Sequence, residues 1–274
     1  MRISDPALRR TIRIAAPILV LAMALTLWQA VAWFTAVDEV ILPSPASVLS
    51  ALTTLRQNLL EAAVRTAKAA AVGLLCSTIL GVTTAFVFSQ STMLRRALYP
   101  YAILLQTVPI IAVAPMVVIA FGRGLPSVAL IAMILSLFPI ITSTTTGLLQ
   151  VDRNLLDLFH LHSATRWQLF WKLRLPNSLP YLINGVRIAG GAAIVGAIVG
   201  EFFVGSSQPG LGAMIQRKAA RIATDELYAT VIVSTLLGVA MFAAISIVGE
   251  LVLSRFFGMS LEGANSPSQD RSDT

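Results

Sequence analysis

DRNLLDLFHLHSATRWQLFWKLRLPNSLP, residues 152–180, concentrates charge, aromatic rings and helix punctuation between long uncharged runs. Asp152 is placed to cap a short helix, because a carboxylate there accepts from the free N–H groups of a first turn. Leu155, Leu158, Phe159 and His162 recur at i, i+3, i+4 and i+7, which gives that helix one sticky face and one polar face. Ser163 breaks the pattern. Thr165 and Gln168 then have the T-x-x-Q spacing of a capping box, so a second short helix is predicted through Trp167, Phe170 and Trp171, ending near Pro176. The stretch reads as a helical hairpin.

Outward from the hairpin the chain changes character. Residues 14–37, 69–94, 97–122, 124–151 and 227–249 carry no charged side chain. Each run exceeds the roughly 18 apolar residues that a helix needs to cross the bilayer core. A further span is read in Ile188–Gln216, which Glu201 interrupts and glycines stud; its first half is taken as the crossing helix, where small residues let helices pack closely in lipid. The fold class is therefore an all-α polytopic membrane protein with about six transmembrane helices, near 14–37, 69–91, 97–121, 125–149, 185–204 and 227–249. Composition agrees: 56% of the 274 residues are hydrophobic, 12% are charged and the mean hydropathy is +0.80, whereas a soluble domain carries about 25% charged residues. Residues 1–264 form one membrane domain, and the polar, Pro/Ser-rich residues 265–274 are predicted to be a disordered tail.

The remaining segments give orientation and detail. With the N-terminus placed in the cytoplasm, Lys and Arg number 13 on the cytoplasmic side and 7 outside, so both ends and the 152–180 loop are expected inside. The first apolar run is too long for the core of a cleaved signal peptide and is expected to remain as an anchor. Between Asp38 and Lys68, Leu42-Pro43-Ser44-Pro45 precedes an amphipathic stretch, Val48, Leu49, Leu52, Leu55 and Leu59, expected to lie at the interface. Pro109, Pro115 and Pro139 are expected to kink or end their helices.

The loop resembles one family. The inner-membrane permeases of ATP-binding-cassette importers carry E-A-A-x-x-x-G in a long cytoplasmic loop, then I-x-L-P after a spacer. Asp157, Leu158, Phe159 and Ser163 fall on the first part, followed by Ala164, Arg166 and Trp167. Leu173, Leu175 and Pro176 fall on the second, and Asn184-Gly185-Val186-Arg187 is similar to the family's G-hydrophobic-R step into the next span. Phe159 and Ser163 stand where the family has Ala and Gly, and Asp157 where it has Glu. Further likeness runs through Leu42-Pro43-Ser44-Pro45, Gln106-Thr107-Val108-Pro109, Ala114-Pro115, Phe121-Gly122-Arg123-Gly124, Phe138-Pro139 and Gly200-Glu201-Phe202, covering roughly residues 40–215. These resemble the nitrate, sulfonate, taurine and thiamine-precursor branch. The resemblance implies two permease copies, two cytoplasmic ATP-binding subunits gripping the loop, and an extracytoplasmic binding protein that delivers a small solute, all in a bacterial inner membrane. The loop would then pass closure of the ATPase to the spans.

Other chemistry finds little support. No G-x-x-x-x-G-K-[ST] loop cradles a phosphate, so ATP hydrolysis is expected in a partner subunit. His160 and His162 lie about 200° apart on a helix and cannot chelate from one face, and Cys76 is a lone cysteine; no metal or cofactor is expected. The net charge of +7 sits at the ends of apolar runs, which fits membrane topology and not nucleic-acid binding. Glu201, an acid deep in an apolar run, is a functional candidate by cost alone, and equally a group capped by local amides. Gln106 and Thr107, with Ser136 and Thr142–Thr146, could line a polar path or tie helices together. The Gly205–Gly212 stretch reads as a flexible loop or a re-entrant turn. Without the resemblance, the hairpin could equally lie among lipid headgroups. Two other classes therefore compete: a stand-alone ion- or proton-coupled carrier using Glu201, and a non-transporting membrane scaffold.

Overall fold

The computed structural model describes residues 6–34, 40–204 and 209–257, with the side chains of 6–14, 17, 256 and 257 left aside. All the described elements are helical: α1 (Pro6–Phe34), α2 (Pro45–Thr54), α3 (Arg56–Gln90), α4 (Thr92–Thr107), α5 (Ile110–Phe121), α6 (Leu125–Leu149), α7 (Arg153–Leu161), α8 (Arg166–Leu169), a π-helical turn (Phe170–Arg174), α9 (Leu175–Val204), α10 (Leu211–Ala220) and α11 (Thr224–Phe257). Among them α3, α6, the continuous Arg166–Val204 helix and α11 are long and apolar enough to cross a membrane. The α4 and α5 pair adds a fifth if it is one span, and α1 contributes a shorter apolar helix, Ile18–Phe34. The far end of the expected 14–37 span, Gly205 and the tail 265–274 lie outside the described residues.

Local chemistry explains where helices begin and break. Ser44 caps α2 by accepting from the Ser47 N–H at 3.2 Å, with Pro45 in the first turn where no N–H is needed. The expected interfacial stretch ends early: α2 stops at Leu55, and Arg56–Lys68 belongs to α3. Pro109 breaks the third apolar run outright. It pushes Val108 to an extended conformation, φ −65° and ψ 123°, and α4 meets α5 at a 96° bend. Pro115 and Pro139 stay inside their helices.

Two compact units result, Met1–Leu60 with Met214–Ile232, and Glu61–Ala213 with Val233–Thr274. In the first, Val48 and Ala51 of α2 pack with Ala229 of α11, and Trp28 of α1 lies 5.9 Å from the Tyr228 ring. In the second, α6 is the central strut. A methyl group at Gly73 would sit 2.6 Å from the Ala129 carbonyl oxygen, and one at Gly196 would sit 2.7 Å from the Ala132 Cα. Backbones of α3 and α9 therefore touch α6 directly, the contact that drives helix association where no water is expelled. Ser136 Oγ donates to Ser77 Oγ at 2.8 Å and adds a buried polar tie between α6 and α3. Thr142 and Thr146 bond back to carbonyls of their own helix. Arg187, one of the 13 Lys and Arg counted on the cytoplasmic side, lies two residues beyond Gly185, whose added methyl would meet Ser143 and Pro139 in the C-terminal half of α6. Its guanidinium is accommodated by Asn184 Oδ1 at 2.8 Å and the Phe242 ring of α11 at 5.2 Å.

Candidate functional site

Two groups of residues mark the ends of α9. At its beginning, the hairpin forms largely as the sequence predicts. Asp152 Oδ1 accepts from the Asn154 N–H at 2.8 Å and starts α7. Thr165 and Gln168 form a reciprocal capping box that opens α8, with the Gln168 N–H donating to Thr165 Oγ1 at 3.2 Å and the Thr165 N–H to Gln168 Oε1 at 2.9 Å. One expectation fails: the second helix does not end near Pro176. It passes through the π turn into α9, and Pro176 is carried inside the continuous helix as the second residue of α9.

Between α7 and α8 the chain turns at Ser163, φ 51°, where the family pattern has Gly. The Ala164 N–H donates to the Phe159 carbonyl at 3.0 Å and the Ser163 N–H to the His160 carbonyl at 2.9 Å, the paired bonds of a Schellman turn. Serine therefore makes the glycine turn, at the strain of a left-handed residue. Replacing Ser163 with glycine is expected to raise stability by about 0.5–1 kcal/mol, the relieved strain less the extra freedom of the unfolded chain, measured by thermal unfolding in detergent.

Phe170 is 6% exposed and packs edge-on against Phe86 of α3, with ring centroids 4.8 Å apart. It shares a small core with Ala85, Leu148 and Leu175. Trp167 and Trp171 stack around it yet remain 61% and 52% exposed. Leu158 is exposed on the same hairpin, as are Asp157 and Arg166. A cleft of about 280 Å³ between the two arms is lined by Leu158, Phe159, His162, Ala164, Gln168 and Lys172. The π turn and the inward role of Phe170 carry no signal in the apolar spacing, which treats Trp167, Phe170 and Trp171 alike.

At the other end of α9, 26 residues and ~40 Å away, Glu201 is buried. Thr66 Oγ1 on α3 donates to its carboxylate, 2.9 Å from Oε1, and the Gly212 N–H donates to Oε2 at 2.7 Å. The Ala213 N–H donates to it as well, while the Leu211 N–H donates to Thr66 Oγ1 at 2.9 Å. The first N–H groups of α10, otherwise orphaned, are thus closed by two side chains from other helices. Glycine is needed for that approach. A methyl at Gly210 would strike the Glu201 carboxylate, and one at Gly212 the Ile198 carbonyl. Arg65 braces the turn by donating to the Pro209 carbonyl oxygen at 3.2 Å. Beside Glu201 lies a cavity of about 190 Å³, with Arg65, Lys68 and Gly210 in its wall. Gln106 and Thr107 lie elsewhere, exposed at the α4–α5 bend, and no described hydrogen bond joins them to Glu201.

Residues 77–257 match the family described as binding-protein-dependent transport system inner membrane component. The chain is similar to the formylaminopyrimidine transport permease protein ThiX of Halalkalibacterium halodurans, 31% identical over 90% of this chain and 98% of that protein. It is also similar to the riboflavin transport system permease protein RibX of Chloroflexus aurantiacus, 34% identical over 71% and 73%, and to the taurine transport system permease protein TauC of Escherichia coli, 29% identical over 85% and 84%. Its fold is like that of a chain in inward-facing structures of the MetNI methionine ABC transporter, with a TM-score of 0.50, 19% identity, and coverage of 70% of this chain and 95% of that one. This multi-pass membrane chain belongs to the binding-protein-dependent transport system inner membrane component family, and is a permease subunit of an ATP-driven importer.

Proposed function

We propose that the permease receives its power stroke through the 152–180 hairpin, which docks in a groove of a separate cytoplasmic ATP-binding subunit. The carrying observation is the split of the hairpin's aromatics: Phe170 is buried on α3, while Trp167 and Trp171 are left outward. Aromatic and Arg side chains held rigidly on an exposed face are what protein interfaces use as anchors. Asp157, Leu158, Phe159, Ser163, Ala164, Arg166, Trp167, Leu175 and Pro176 form the coupling loop in this reading. Two permease copies and two ATP-binding subunits complete the membrane assembly, and an extracytoplasmic binding protein presents the cargo, a small organic solute as in the named relatives. Hydrolysis belongs to the partner subunit.

Both termini and the hairpin lie in the cytoplasm. Counting Arg187 with its span lowers the cytoplasmic Lys and Arg count by one and leaves the bias in place.

The test is co-purification with the cognate ATP-binding subunit. Changing Trp167 and Trp171 together to alanine is expected to weaken the complex at least about tenfold, since interface aromatics commonly carry more than 1 kcal/mol each. The variant should insert and fold as before, because both rings are more than half exposed. Full retention of the complex would remove the hairpin as the docking element.

A further inference from the structure

Two spans have their ends closed by side chains from the segment that leads out of the hairpin. The last carbonyls of an α-helix have no partner within that helix. At the end of α6, the Asn177 side-chain amide donates to the Gly147 and Gln150 carbonyl oxygens, both at 2.9 Å. At the end of α3, Arg174 Nη1 donates to the Ser89 carbonyl oxygen at 3.3 Å. These two donors, three residues apart, bracket the point where the π turn becomes α9. Phe170 on Phe86 supplies the apolar half of the same joint. A π turn inside a longer helix is a local departure that recurs at functional positions, and here it falls between the capping-box arm and the two donors.

We infer that Asn177 and Arg174 are positioning residues of the transport cycle, tying the hairpin to the ends of α6 and α3 so that its displacement reaches both spans at once. The inference rests on the docking reading above. Its chemistry is specific. An asparagine amide nitrogen carries two hydrogens and both are spent on carbonyls, whereas an aspartate of the same shape has none to give. Aspartate would instead set a negative charge against two carbonyl oxygens. Both residues are half-buried, away from the Gly73 and Gly196 contacts that hold the bundle, so their loss should leave the fold in place.

The test measures cargo taken up per ATP hydrolysed, in proteoliposomes holding the permease, its ATP-binding subunit and the binding protein. Asn177→Asp is expected to lower that ratio about tenfold, as two hydrogen bonds are lost, with the ATP-binding subunit still bound. Asn177→Gln, which keeps both donors, should recover at least half of the ratio, and Arg174→Gln should lower it about threefold. An unchanged ratio for Asn177→Asp in an assembled complex overturns the relay while docking stands. If Asn177→Asp alone loses the ATP-binding subunit, the amide holds the docking face and does not relay its motion, and the relay is again overturned. Failure of the unaltered chain to bind the subunit defeats the docking reading, and the relay with it.

Discussion

Changing Glu201 to alanine is expected to destabilise the permease by about 2–5 kcal/mol, measured as unfolding in detergent. The carboxylate is the acceptor for the Gly212 and Ala213 N–H groups at the buried start of α10. Each donor left without a partner costs about 1–3 kcal/mol. Thr66 suffers less, since its hydroxyl also lies 3.1 Å from the Ala62 carbonyl oxygen and can turn to it. Water entering through the adjoining 190 Å³ cavity would move the loss toward the lower figure. Glu201→Gln keeps one acceptor oxygen and should lose about half as much. It also separates two roles. As an anchor, Glu201 can become an amide and cargo uptake persists; as the ion-carrying group of a stand-alone carrier, the same change would bring uptake to background. The ligands found are the chain's own groups, which accounts for the burial of this acid without a transported ion.

Changing Phe170 to alanine should cost about 3–5 kcal/mol, the usual range for deleting a buried aromatic ring. The loss is expected to be local. Phe170 joins the hairpin to α3 and α6 through Phe86 and Leu148, whereas the α3–α6–α9 contacts at Gly73 and Gly196 do not involve it. Hydrogen exchange should therefore quicken across residues 153–174 while α6 stays protected. Uniform loss of protection, or none, would show that the ring does not hold the hairpin. Trp171→Ala serves as the contrast: a half-exposed ring, small stability loss, and an effect read at the ATP-binding subunit.

Local structure is legible in the sequence and long-range pairing is not, for a physical reason. A cap or a capping box is decided within four residues, so Asp152 and the Thr165–Gln168 pair were visible in the string of letters and appear as hydrogen bonds in the fold. The apolar runs declared a polytopic helical protein. Pro176 does not mark the helix end expected of it, because the chain continues through the preceding π turn, and a π turn has no composition of its own. Glu201 could be flagged by its cost but not assigned, since Thr66 lies 135 positions upstream. Glycines in the apolar runs signal close packing without naming the partner; only the fold shows that Gly73 of α3 and Gly196 of α9 both reach α6 near Ala132. The glycine-like turn at Ser163 is the reverse case, where the residue type argued against a geometry that two backbone bonds enforce.

The ligands of Glu201 also impose an order on biosynthesis. Thr66 is translated long before the acid, but Gly212 and Ala213 emerge eleven and twelve residues after it. Until those two residues are in place, the acid has one partner from an earlier helix, the Thr66 hydroxyl. A chain truncated before Leu211 would therefore leave the acid incompletely paired, and only the start of α10 completes its set of donors.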